Sequence, residues 1–372
     1  MMKYDQVKIL VCFLAVLVMA ATVQASEKPK TISAKSKAVR NKIDLHSPSG
    51  CSHIYGFNYQ PSWGYNGVTV WGEKFDAKRY RKELTIGKKH FPKMNAVRIW
   101  LSWSAYRKNP ERAIRQFQQA VDICGDLDLL VMPIIFNRWH GNPSWDRVKN
   151  REILSDFEPT FAPFIRDLVT PTKGDKRILA WDLCNEPFFF HRPPGKDETP
   201  LPKETREAVE LKWLTNIHRV VKACDPDALI CIGNMNGLNH IESTAPLQDI
   251  LTVHFYYPIF KFPYKKHPPD MKDSGLKIER VEKTIEIAKR HKKPLLCTEC
   301  CWGSQYDDDR ANFIVRKNLE MLTKYKIGFF PHALWTSGVA DLHKYKEGLY
   351  MPFILEDGSI RPGHEIYNEF TK

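Results

Sequence analysis

From residue 51 onward the chain alternates short apolar runs with longer amphipathic segments. The short runs are Ile54–Tyr59, Ala96–Trp100, Leu129–Phe136, Ile178–Leu183, Leu229–Gly233, Leu251–Tyr256, Pro294–Thr298 and Phe329–Trp335. Each is nearly continuous in apolar residues, the pattern of a strand covered on both faces. The segments between them include Pro110–Leu127, Glu204–Cys224, Leu276–His291 and Asp307–Lys326. These place apolar residues three and four apart with charges between, the period of an amphipathic helix.

Eight strands alternating with helices predict parallel β/α units. Two α/β architectures fit: a doubly wound open sheet or a closed (β/α)8 TIM barrel. The strand count and the length of 372 residues favour the single barrel. No glycine-rich phosphate fingerprint follows the first run, which argues against an open nucleotide-binding sheet. In a barrel, the chemistry sits where strands end, on the C-terminal face.

The strand ends carry polar and aromatic residues. Asn58, Tyr59 and Trp63 follow the first run; Arg98, Trp100 and Trp103 the second; Asn137, Arg138, Trp139 and His140 the third. The fourth ends in Asp182, Asn185 and Glu186, the fifth in Asn234 and Asn236, and the sixth in His254, Tyr256 and Tyr257. The seventh ends in Glu299 with Trp302 after it, and the eighth in Trp335. Glu186 and Glu299, on strands four and seven, face each other across one barrel mouth. Two carboxylates so placed can flank a glycosidic bond, one protonating the leaving oxygen and the other attacking the anomeric carbon. Retention needs the carboxyl groups about 5–5.5 Å apart, and inversion roughly 6.5–9.5 Å to admit a water.

The neighbours fit that division of labour. Arg98 and Tyr256 are placed to hold Glu299 ionised, His254 to assist proton transfer at Glu186, Asn185 to bond a sugar 2-hydroxyl, and Trp335 to floor the reacting sugar. Taken singly, each has a plainer reading. A lone Glu after a strand is usually a helix cap or a surface charge, an Arg at a strand end often pairs with a structural acid, and a Trp is ordinary packing. The case rests on one mechanism using all of them.

At this point the residues resemble glycoside hydrolase family 5, among the clan A retaining β-glycosidases. Leu179 to Pro187, with Asn185-Glu186-Pro187 at its end, resembles the acid/base signature of strand four. His254-Phe255-Tyr256 resembles the His-x-Tyr of strand six, and Pro294 to Glu299 the nucleophile strand. Arg98 and Trp335 match the strand-two and strand-eight positions. The resemblance spans about residues 51–370. It implies a (β/α)8 barrel, retaining hydrolysis of β-linked sugars with Glu186 as acid/base and Glu299 as nucleophile, and no catalytic metal or cofactor. It does not imply a sugar; β-mannan and β-glucan are the first expectations. The family's strand-three His has no direct counterpart: either His140 is that residue shifted outward, or Asn137 replaces it.

Composition adjusts this picture at the edges. Lys3 and Lys8 followed by the apolar Ile9–Ala21, with Val23-Gln24-Ala25 as a cleavage site, read as a signal peptide over residues 1–25. That run is short for a membrane span, and an uncleaved signal anchor is the alternative, so a secreted or periplasmic enzyme with no stable span is expected. Residues 26–48 are Lys/Ser-rich without apolar periodicity and read as a basic flexible linker to a catalytic domain over 49–372. The net charge of +13 comes from scattered Lys and Arg without a nucleic-acid motif. No nucleic-acid partner is expected, and the chain is expected to be a monomer. The charge and the aromatic, basic loops Phe188–Pro202 and Pro258–Asp273 leave an acidic or decorated β-glycan open. Cys184, Cys231 and Cys297 fall inside strand runs, where buried thiols are expected rather than disulfides. Cys297, Cys300 and Cys301 lack a second Cys/His pair at metal-ligand spacing. Two rivals remain: a non-catalytic carbohydrate-binding barrel, which would keep the aromatic platforms and lose an acid, and an aldolase-type barrel, which would need a strand-end Lys that strands four, six and seven lack.

Overall fold

A computed structural model of the chain describes residues 31–64, 67–139, 146–188, 200–235, 237–256, 278–301, 308–337 and 352–371. The eight strands are β1 (Gly56–Asn58), β2 (Ala96–Trp100), β3 (Leu130–Asn137), β4 (Trp181–Asn185), β5 (Ile230–Gly233), β6 (Leu251–His254), β7 (Leu295–Cys300) and β8 (Gly328–Pro331). All pair in parallel, β1 through β5 in one run and β6 through β8 in another. Parallel bridges Asn234↔Val253 and Tyr55↔Phe329, with Asn58↔His332, join the two runs at both seams. The sheet therefore closes into the expected (β/α)8 barrel.

The helices that follow the strands cover its outside. They are α2 (Ala77–His90), α3 (Pro110–Asp126), α4 (Ala162–Val169), α5 (Lys203–Cys224), α6 (Leu238–Thr244), α7 (Ile278–His291) and α8 (Asp308–Lys324). α1 (Ala34–Asn41) precedes the barrel. The start of α3 shows how the sequence sets a boundary. Asn109 accepts a hydrogen bond from the Arg112 amide, and Pro110 occupies the first turn, where a missing N–H does no harm. The inward faces of the helices bury Phe117, Val121, Phe164, Ile165, Leu214, Ile217, Ile314 and Leu322 against the strands.

The linker expectation is corrected over residues 33–48. Ser33 caps α1 through the Ser36 amide. Arg40 donates from Nη1 to the Ile178 carbonyl at 2.5 Å and the Leu179 carbonyl at 3.2 Å. The Pro48 carbonyl accepts from the Leu295 amide at 2.9 Å. Ser33–Lys372 form one compact unit, so the folded body starts earlier than residue 49. The segment is held by long-range hydrogen bonds instead of an apolar stripe, and periodicity has nothing to register there.

Irregularities in strand pairing fall beside the strand ends that matter. The register shifts between Asp182 and Asn185 on β4, Val253 and His254 on β6, and Cys297 and Cys300 on β7. Such bulges re-aim a side chain that regular alternation would point elsewhere.

Candidate active site

Arg98 organises the barrel mouth. Its guanidinium is fully buried and uses all five N–H donors. Nε and Nη2 donate to Asp182 Oδ2 at 3.0 and 2.8 Å, Nη2 also to Asn185 Oδ1 at 2.9 Å, and Nη1 to Asn58 Oδ1 at 3.0 Å and Glu299 Oε1 at 2.5 Å. Asn58 in turn donates to the Thr298 and Phe330 carbonyls, both at 2.9 Å, which fixes β1 against β7 and β8. Burial disfavours the Arg98 cation, but the Asp182 and Glu299 carboxylates outweigh it and raise its pKa. Gly233 leaves room for this group, since a Cβ there would lie 2.6 Å from Arg98 Nη2 and 3.3 Å from His254 Nε2.

The two glutamates meet over this base. One carboxylate oxygen of Glu186, one of Glu299 and a ring nitrogen of His254 all lie within 4.8 Å of one another. His254 Nδ1 is 2.9 Å from Glu186 Oε1 and 3.5 Å from Glu299 Oε2. The imidazole contact serves both protonation states: Nδ1–H donates to an ionised Glu186, and a protonated Glu186 donates to Nδ1. The Tyr256 hydroxyl donates to Glu299 Oε2. Burial, together with the Glu299 and Glu186 charges, pushes the Tyr256 pKa well up and keeps it a donor.

The carboxyls are driven apart in titration. Burial raises the Glu186 pKa, and the Glu299 charge adds to the rise, against the opposing pull of His254 and Arg98. Burial also opposes ionisation of Glu299, but His254, Arg98, His332 and the Tyr256 hydrogen bond together hold it down at about 2. The Glu186 carboxyl thus binds a proton more tightly than usual and the Glu299 carboxyl less tightly, the separation that acid-assisted displacement requires. Glu186 Oε2 and His254 Nε2 are buried without a hydrogen-bond partner among the described residues. Unsatisfied buried polar atoms are costly, and Glu186 Oε2 is the atom available to a substrate oxygen. The same three side chains could ligate a cation by distance alone. The Arg98 guanidinium on Glu299 opposes that with a fixed positive charge.

Arg98, Asn185, His254 and Tyr256 therefore converge on Glu186 and Glu299. Asn185 Nδ2 donates to Asn137 Oδ1 at 3.0 Å, so Asn137 stands at the end of β3 beside the site. Trp63 is half-buried on the loop after β1, with Arg79 over its ring at 5.4 Å. Glu83 ties that loop down by accepting from Tyr59 Oη at 2.9 Å and the Ser62 amide at 3.1 Å. Trp335 is buried, with its ring edge against Gly358. His140, Trp302, Asn236, Tyr257 and most of the two long loops lie outside the described residues. Asn234 turns away from the mouth, donating to Thr244 Oγ1 at 3.2 Å.

His332 is a site residue that the strand pattern does not single out. It follows β8, meets the Trp100 ring edge-on at 5.6 Å and contributes to holding Glu299 ionised. The apolar run Phe329–Trp335 predicts an eighth strand through to Trp335, whereas β8 ends at Pro331. A proline has no N–H for the ladder, so Pro331 was the available signal that His332 is a rim residue. The expected buried thiols are present: Cys184, Cys231 and Cys297 are free and buried, and no disulfide joins any of the eight cysteines from Cys51 to Cys301.

The cellulase family model, glycosyl hydrolase family 5, matches residues 55–339. The chain is a family 5 glycoside hydrolase. Solved structures resemble this hydrolase in fold at low identity. The GH5_18 protein of Streptomyces cattleya, in complex with GlcNAc, superposes with a TM-score of 0.67 at 16% identity, covering 88% of this chain and 80% of that one. An exo-β-1,4-mannosidase from an Opitutaceae bacterium gives 0.64 at 18% identity, covering 92% and 62%. An endoglucanase of Pseudomonas stutzeri gives 0.56 at 16% identity, covering 86% and 94%. No curated protein sequence matches this hydrolase. Among the described residues, no helix is long and apolar enough to cross a membrane.

Proposed function

We propose that this hydrolase cleaves a β-linked glycan, β-mannan or β-glucan, by double displacement with Glu299 as nucleophile and Glu186 as acid/base. The observation that carries the reading is the opposed titration of two carboxylates whose nearest oxygens lie within 4.8 Å. That spacing belongs with a covalent intermediate, since roughly 6.5–9.5 Å is needed to seat an attacking water. Glu299 attacks the anomeric carbon while Glu186 protonates the departing oxygen. Esterification then removes the Glu299 charge. That charge is one of the causes raising the Glu186 pKa, so its loss lowers the pKa as Glu186 changes from acid to base. Glu186 next deprotonates the water that releases the sugar. The mannosidase and endoglucanase among the structural neighbours support the choice of glycans, and hydrolysis of a β-glycan panel with product sizing tests it. Good cleavage of charged glycans beside poor cleavage of neutral ones would favour the acidic-substrate alternative. We also propose export through residues 1–25.

The pH profile tests the proton assignment. For kcat/KM, which reports the free enzyme, the rate falls at low pH as Glu299 gains a proton. It falls at high pH as Glu186 loses its proton, above the usual carboxylate range. Glu186→Gln, assayed on a 2,4-dinitrophenyl glycoside that needs no proton, is expected to lose the alkaline limb and keep the acid limb. A retained alkaline limb would assign that proton to another group.

A further inference from the structure

Beneath the acid/base lies a second buried ion pair that the chemistry above does not use. Arg138 follows β3, and its Nε and Nη2 donate to Glu210 Oε1 and Oε2 on α5 at 2.8 and 3.3 Å. Nη1 donates to the Val148 carbonyl at 2.5 Å and Nη2 to Asn150 Oδ1 at 2.8 Å. Both charged side chains are essentially unexposed, at 1% and 0%. Glu210 Oε1 also accepts from the Phe188 amide at 3.0 Å.

Phe188 is two residues beyond Glu186, and the turn between them is unusual. Glu186 has φ +48° and Phe188 φ +62°, with Pro187 between. Neither is a glycine, so both backbones sit in a region that L-residues enter at a cost of about 1 kcal/mol or more each. A turn of this kind persists only where its surroundings over-determine it. The Glu186 amide is held by the Gly233 carbonyl at 2.8 Å, and the Arg138 amide donates to the Asn185 carbonyl at 2.9 Å. The far end of the turn is held by Glu210, and the Phe188 ring stacks on His240 at 4.5 Å. A buried ion pair is a poor source of net stability, and an apolar pair of similar volume often does as well. Its presence here calls for a geometric role.

We propose that Glu210, held in place by Arg138, is a positioning residue for the acid/base. By fixing the Phe188 amide it sets the backbone of the Glu186-Pro187-Phe188 turn, and hence the direction from which Glu186 delivers its proton. The inference rests on Glu186 being the acid/base.

Leaving-group dependence separates positioning from plain structural support. A dinitrophenolate leaves without protonation, whereas a phenolate needs the proton from Glu186. Glu210→Gln is compared with the native chain on phenyl and 2,4-dinitrophenyl β-glycosides of the accepted sugar. The ratio of kcat/KM for the phenyl substrate to that for the dinitrophenyl substrate is expected to fall about 10–100-fold. Loss of both rates in the same proportion would overturn the proposal. Glu186→Gln run alongside keeps the two claims separate: if it leaves that ratio unchanged, the acid/base assignment fails, and if it alone lowers the ratio, only the role of Glu210 fails. Should Glu210→Gln not fold, the double variant Arg138→Met/Glu210→Leu removes both charges and carries the same expectation. Failure of both to fold would assign the pair to structure alone.

Discussion

Glu299→Gln is expected to lower kcat by roughly 10⁴–10⁶-fold, the scale seen when a nucleophile is removed from a covalent mechanism. The amide keeps the shape of the carboxylate and an oxygen for Arg98, but it cannot form the ester. Binding of an oligosaccharide, followed by calorimetry, should persist, because the sugar contacts stay in place. A second effect follows from the electrostatics. The Glu299 charge helps to raise the Glu186 pKa, so Glu186 should titrate lower in the variant, as measured by carboxyl NMR or infrared difference spectra. Near-native turnover in Glu299→Gln would remove the nucleophile from the account.

Arg98→Met should have the largest effect on stability. The Arg98 side chain is wholly buried, as is Asp182, and Glu299 is 6% exposed. Removing the cation leaves two carboxylates in a low-dielectric mouth without the guanidinium that bridges them. Breaking a buried pair from one side costs about 3–5 kcal/mol, read as a lower urea midpoint at unchanged slope. Activity should fall as well, with the acid limb of the pH profile moved upward, since Arg98 is one of the groups holding Glu299 at about 2. Arg98→Lys should restore little. Five donors in a fixed fork reach Asn58, Asp182, Asn185 and Glu299, and an ammonium offers three donors at one point. A variant as stable as the native chain would show that Asp182 and Glu299 find other compensation.

Much of the barrel is legible in the sequence because parallel strands buried on both faces leave continuous apolar runs. The apolar run Ala96–Trp100 coincides with β2, and the amphipathic stretch Glu204–Cys224 starts one residue inside α5. The strand ends then supplied Glu186, Glu299, Arg98, Asn185, His254 and Tyr256, since a barrel brings all its C-terminal strand ends to one mouth. What remained hidden depends on contacts between distant residues. α1 lacks an apolar stripe, and its anchor is Arg40 on carbonyls 138 and 139 positions away. Glu210 lies 72 positions from Arg138 on an otherwise ordinary amphipathic helix, and neither residue announces the other. The role of Asp182 was also hidden, because a carboxylate inside an apolar strand becomes intelligible only once Arg98 is seen beside it. Register shifts fall near the ends of β4, β6 and β7, and strict alternation does not foretell them.

In the proposed mechanism Glu186 and Glu299 act as acid/base and nucleophile, close enough to exclude an inverting water. Proton NMR of the first sugar released from a β-glycan, recorded before mutarotation, tests it most directly. Double displacement releases the β-anomer first, with the α-anomer growing in later. Initial release of the α-anomer would contradict it.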